Sequence, residues 1–171
     1  MNRVLFFRGL NLGNRRLTNP ELASALESCG CGEVRIYQAS GNAVVSDTRD
    51  EGALQEAVET GLNAALGYEV DTYVREPDEL RALLSHPHWG GRKHTGKLQV
   101  AMVREAPDAS VVAPFATDQD WLAVFGRQVL WWPASSILDT TLDLRTLEKT
   151  VGRWTQRTFG TVDRLTRKFL S

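Results

Sequence analysis

The side chains with the most to offer chemically fall in two short polar stretches of this 171-residue chain, RGLNLGN at positions 8–14 and QASGN at positions 38–42. Arg8, Asn11, Asn14, Gln38, Ser40 and Asn42 supply a guanidinium, side-chain amides and a hydroxyl, and Gly9, Gly13 and Gly41 leave backbone N–H groups open to approach. Donors of this kind suit a phosphate or carboxylate. The first stretch is not a Walker phosphate loop, because Gly9 and Gly13 stand too close together and no Gly-Lys-Ser/Thr follows. Nor is it the dinucleotide-binding G-x-G-x-x-G. The same residue types also build tight turns, and Ser40-Gly41-Asn42 is a sound turn by itself. Ser40 as a nucleophile has no base nominated by the sequence.

Other constellations carry less. His86, His88 and His94 have the spacing H-x-H-x5-H, but no cysteine or carboxylate lies within that loop, and Arg92, Lys93 and Lys97 would repel a cation. The loop therefore reads as a surface linker, with no metal expected. Trp131-Trp132-Pro133 fits one core and one half-exposed tryptophan better than a stacking platform. Asp78-Glu79, Asp118 and Asp120 sit where helix starts and turns are expected, no G-x-S-x-G elbow is present, and no catalytic residue or cofactor is nominated. Cys29 and Cys31 are one residue too close for the redox C-x-x-C pattern. Two isolated thiols fit a reducing cytoplasm and predict no disulfide between them.

The elements that must hold the two polar stretches are well signalled. VLFF at 4–7 is a short apolar run that predicts a buried strand. Thr18 and Glu21 form a capping box, Pro20 stands in the first turn, Leu22, Ala25, Leu26 and Cys29 make one stripe, and Gly30 stops the helix. EVRIYQ and NAVVS predict a hairpin around ASGN, residues 52–66 a helix, and residues 69–74 a fourth strand. The second half repeats the order: KLQVAMV a strand, residues 107–115 a short helix, DWLAVFG and QVLWWP a hairpin, residues 135–151 mostly helical, GRWTQ a strand and residues 160–170 a last helix. The expectation is an α+β protein of two ferredoxin-like (β-α-β-β-α-β) halves plus a C-terminal helix. Residues 1–76 form the first half, 77–96 a connecting helix and loop, and 97–171 the second half.

In such a unit the first and second strands run parallel with the third between them. The loop after the first strand and the hairpin between the second and third then leave the sheet at the same end. RGLNLGN and QASGN are those connections, and the helix N-terminus near Thr18 points its partial positive charge into the same corner. A small anionic or nucleotide-like ligand is the partner this corner would take. The chain is then either a binding module or an enzyme acting on such a ligand, and the sequence leaves that choice open.

Composition narrows the field further. A hydrophobic content of 42%, a charged content of 24% and a net charge of −1 describe a globular protein without a global field for nucleic acid or an acidic membrane. No stretch approaches a transmembrane length or a signal peptide, so the cytoplasm is expected and no membrane partner. Residues 145–171 hold seven Lys/Arg against two Asp/Glu, which keeps nucleic-acid binding through the loops and this basic end as an alternative. Sheet-face RNA binding is disfavoured, because NAVVS brings no aromatic to the third strand. Oligomeric state is not legible.

RGLNLGN, TNPELASALESCG and VRIYQASGNAVV, followed near the C-terminus by TQRTFGTVDRL, resemble the bacterial domain-of-unknown-function family 1697. Members open with a strand and RGINVGG, carry a Y-x-Q-SGNV-like hairpin and end with T-x-RNW-x-TV-x-KL. The resemblance spans essentially the whole chain. It implies importance for Arg8, Gly9, Asn11, Gly13, Ser40, Gly41, Asn42, Thr155, Arg157, Thr161 and Val162. It departs at Asn14, Thr158 and Phe159, where the family has a glycine, an asparagine and a tryptophan. The resemblance implies no activity. It does predict convergence: Arg8 and Asn11 facing the Ser40-Gly41-Asn42 turn, with Arg157 adding a second positive charge.

Overall fold

The computed structural model describes residues 1–38, 41–86 and 94–171, and its chain divides into two compact units, Met1–Leu80 with Leu165–Ser171, and Arg81–Arg164. The loop over residues 86–96, read as the boundary, lies for the most part outside the described residues.

The first unit contains β1 (Asn2–Arg8), α1 (Asn19–Ser28), β2 (Gly32–Ile36), β3 (Asn42–Ser46), α2 (Glu51–Leu66) and β4 (Asp71–Arg75). Its sheet has the order β2-β3-β1-β4 with every neighbouring pair antiparallel. β1 is central because its run is buried on both faces. On one face Leu5 and Phe7 meet Leu22 and Leu26 of α1 and Leu54, Val58 and Leu62 of α2. On the opposite face the alternation sets Val4 and Phe6 beside Val44, Tyr73 and Arg75, all buried. α1 begins with the full Thr18–Glu21 capping box. α2 begins at Asp50, whose carboxylate accepts from the Ala53 N–H, and ends at Gly67 with φ 73°, where its N–H donates to the Asn63 carbonyl.

The second unit contains β5 (Gln99–Met102), α4 (Ala109–Val112) with a 3-10 turn, β6 (Asp120–Phe125), β7 (Gln128–Pro133), α5 (Leu144–Val151) and β8 (Thr155–Thr158). Its antiparallel sheet runs β6-β7-β5-β8. Gly126, at φ 53°, opens the two-residue turn of the β6–β7 hairpin, and Ala101, Val129, Trp131 and Leu147 anchor the core. The unit boundaries fall inside α3 (Pro77–Ser85) and inside α6 (Phe159–Phe169).

One expected element is shorter than the pattern suggested. Residues 135–143 are not helical, and α5 starts only after Asp143, whose side chain accepts from the Thr146 N–H. The cause is side-chain competition for the backbone. The Ser136 hydroxyl takes the Leu138 N–H, the Thr140 hydroxyl takes the Leu142 N–H, and the Thr140 hydroxyl itself donates to Asp120 at 2.7 Å. Asp120 is 1% exposed and also accepts from the Trp131 indole at 2.7 Å and the Thr117 hydroxyl at 2.9 Å. It is a buried anchor for that loop rather than a plain turn residue.

Candidate functional site

Arg8 is the last residue of β1 and half-buried, and the register sets it directly opposite Asp71, the first residue of β4. Opposed residues in an antiparallel pair share a face, so the arginine and the carboxylate stand side by side. Gly9 then turns the chain at φ 89°, where a Cβ would come within 3.1 Å of the Glu69 carbonyl. Leu10 is buried, and its carbonyl accepts from the Tyr68 hydroxyl at 2.8 Å. Asn11 folds the loop back by accepting the Leu17 N–H at 2.8 Å. Gly13, at φ 61°, and Asn14 are exposed at the tip, and the Arg15 guanidinium lies 4.1 Å over the Tyr68 ring.

The hairpin reaches the same end of the sheet. The Gly41 carbonyl accepts the Phe7 N–H at 2.9 Å, tying the turn to the end of β1. Asn42 is fully buried; its backbone carbonyl accepts the Tyr37 N–H at 2.8 Å, and its side-chain amide donates to the Tyr37 carbonyl at 3.0 Å. Gln38 is exposed at φ 57°, left-handed backbone that costs a non-glycine residue about 1 kcal/mol. Ser40 lies outside the described residues.

The structure thus brings Arg8, Asp71, the glycine loop and Gln38 to one end of the first unit's sheet, with Asn11 and Asn42 engaged in holding the two connections. The α1 N-terminus is answered from within: Glu21 accepts the Thr18 N–H at 2.7 Å, a bond that holds its carboxyl below the ordinary range. Arg157 belongs to the second unit, on β8 opposite Val100. Its guanidinium donates to the Thr155 hydroxyl at 2.9 Å and the Gln156 carbonyl at 2.7 Å, and burial pulls its pKa down to about 10, so it stays charged at neutral pH. The Thr158 hydroxyl accepts the Thr161 N–H at the start of α6, and Val162 is fully buried. Much of the C-terminal motif therefore joins β8 to α6.

Sequence reading missed Asp71, Tyr68 and Lys168. Register and packing decide their places, and no local pattern marks them. The thiols are free; burial raises both, Cys31 to about 11, although the Arg49 guanidinium 3.8 Å from its sulfur pulls the other way. Both stay protonated at neutral pH. Between α1 and α2 lies a groove of about 680 Å³ lined by Leu17, Ala25, Cys29, Gly61 and Ala65. It offers no cation for an anionic ligand. Among the described residues no three or more His, Cys, Asp or Glu gather as metal ligands, and no helix is long and apolar enough to cross a membrane.

A family model described as "Protein of unknown function (DUF1697)" matches residues 1–129. Among solved structures, the conserved bacterial protein SP0830 from Streptococcus pneumoniae is similar over 99% of this chain and 98% of its own, with a TM-score of 0.74 at 18% identity. That likeness concerns the fold alone. No curated protein matches the chain.

Proposed function

The chain belongs to the DUF1697 family of proteins of unknown function, and from that premise we propose that it is a cytoplasmic binding module for a small anionic ligand, seated where the Arg8–Asn14 loop meets the hairpin at Gln38–Asn42. The observation that carries the reading is the 2.9 Å bond from the Phe7 N–H to the Gly41 carbonyl, which fastens the two polar connections together beside Arg8. The strand order β2-β3-β1-β4, repeated as β6-β7-β5-β8, supports taking each half as ferredoxin-like. In that topology this end of the sheet collects these two connections together with the one from α2 to β4, which brings Tyr68, Glu69 and Asp71. A left-handed Gln38 and glycines at positive φ are backbone of the kind that builds anion-binding concavities, and Arg8 supplies the charge. Asp71, opposite Arg8 in the strand register, is a carboxylate that an anionic ligand would have to outcompete for the guanidinium.

A thermal-shift titration with inorganic phosphate and with AMP tests this. A ligand that binds only the folded state raises the melting temperature with its concentration. The expected result is a shift in the wild type that Arg8→Ala abolishes. An equal shift in Arg8→Ala, or no shift with either probe, overturns the reading.

A further inference from the structure

We propose that the ligand of this corner is a free nucleotide, its base stacked on Tyr37 and held at its edge by Lys168; the inference rests on the binding-module reading above and specifies its ligand. Val34 and Ile36 pack into the helix-side core, so alternation along β2 puts Arg35 and Tyr37 on the opposite face of the sheet. The pairing Ile36 to Ala43 continues through the Tyr37 N–H to the Asn42 carbonyl, and Asn42 in turn pairs with Phe6. Tyr37, Asn42 and Phe6 form one row across that face, and Arg8 follows two residues beyond Phe6. The tyrosine and the arginine are therefore two strands apart and two residues along, roughly 12 Å, a separation that a base and its phosphate can bridge through the ribose with the reach of the two side chains.

The last turn of α6 completes an aromatic and cationic cluster at Tyr37. Phe169 meets the tyrosine edge-on, with centroids 6.1 Å apart and planes at 87°. Arg35 lies 5.4 Å from the Phe169 centroid and is fixed there by bonds to the Phe169 carbonyl and the Asn2 side chain. The Lys168 ammonium stands 5.8 Å from the Tyr37 centroid and 5.2 Å from that of Phe169. It is exposed, and among the described residues it meets these rings and no carboxylate. A half-exposed ring with an exposed cation beside it recognises an aromatic group bearing acceptor atoms, which is the chemistry of a nucleobase. Charge favours a free nucleotide over a nucleic-acid strand, because the first unit, residues 1–80 with 165–171, carries thirteen Asp/Glu against nine Lys/Arg.

Calorimetric titration of the full chain with AMP, ribose 5-phosphate, inorganic phosphate and a short single-stranded RNA tests the inference. AMP is expected to bind about ten-fold more tightly than ribose 5-phosphate, the contribution of one stacked base. Lys168→Ala and Tyr37→Leu each narrow that gap and leave ribose 5-phosphate unchanged, while Lys168→Arg restores it. Equal affinity for AMP and ribose 5-phosphate, or a gap that Lys168→Ala leaves intact, overturns the nucleotide proposal and leaves the anion-binding reading standing. RNA binding more tightly than AMP per site overturns the choice of ligand. No binding by any probe overturns both readings.

Discussion

The pairing of Arg8 with Asp71 permits a perturbation whose effects on stability and on binding have predictable and different signs. The two residues are directly opposed across β1 and β4, which sets their Cβ atoms about 5 Å apart. That spacing lets the two side chains bring their charges into contact, and unit charges about 4 Å apart attract by about 4 kcal/mol in an effective dielectric of about 20. Desolvation and side-chain ordering cancel much of that attraction. Both residues are half-buried, so the net coupling belongs between the roughly 0.2–1 kcal/mol of exposed pairs and the roughly 3–5 kcal/mol lost on breaking buried ones. We expect Arg8→Ala and Asp71→Asn each to lower unfolding free energy by about 1–2 kcal/mol. The double variant should lose little more than either single one, a coupling of about 1 kcal/mol. Urea unfolding of the four proteins measures this cycle. Phosphate titration of the same four should separate them: Arg8→Ala loses binding, whereas Asp71→Asn binds more tightly because a competing carboxylate has gone. Additive stabilities would show that the pair does not interact. Weaker phosphate binding by Asp71→Asn would show that the carboxylate does not compete for Arg8, and would refute the proposed site geometry.

Three further outcomes follow from the same contacts. Asp120→Asn keeps acceptors for the Trp131 indole and the Thr140 hydroxyl and should cost about 1–2 kcal/mol, whereas Asp120→Ala strands a buried indole N–H and should cost about 3 kcal/mol or more by urea unfolding. A Cβ at Gly61, inside α2, would collide with the Cys29 sulfur, so Gly61→Ala should destabilise in the wild type. On a Cys29→Ala background the same change should stabilise by about 1 kcal/mol as helix propensity prevails; circular-dichroism melts of both variants decide it. The Arg49 hydrogen bond holds the Asp47 carboxyl below its ordinary range. The unfolded chain then binds the extra proton first, so this contribution is complete above about pH 4 and fades as pH falls through the lower folded value. Asp47→Asn should flatten the acid limb of a stability-against-pH curve and leave its neutral slope unchanged.

Local signals in the residues settled much of the fold. The Thr18–Glu21 capping box starts α1 where the motif requires, because capping satisfies N–H groups within one turn of chain. The VLFF run is a central strand, and the glycine of GR at 126–127 opens the β6–β7 hairpin, because periodicity and turn chemistry also act within a few residues. The same logic failed over residues 135–143. There the partner that holds Thr140 is Asp120, twenty positions away, and nothing near Thr140 announces it.

The polar corner divides along the same line. Its residue types and its place at one end of a sheet were legible in RGLNLGN and QASGN. The carboxylate opposite Arg8, the burial of Asn42 and the approach of α6's last turn to Tyr37 were decided by strand register and by packing between segments as far apart as Arg35 and Phe169. A residue's type and its near neighbours fix which groups it can bond. Which of those groups it meets depends on how distant apolar faces close over one another, and a one-residue slip in β4 would have put Asp71 on the other face of the sheet.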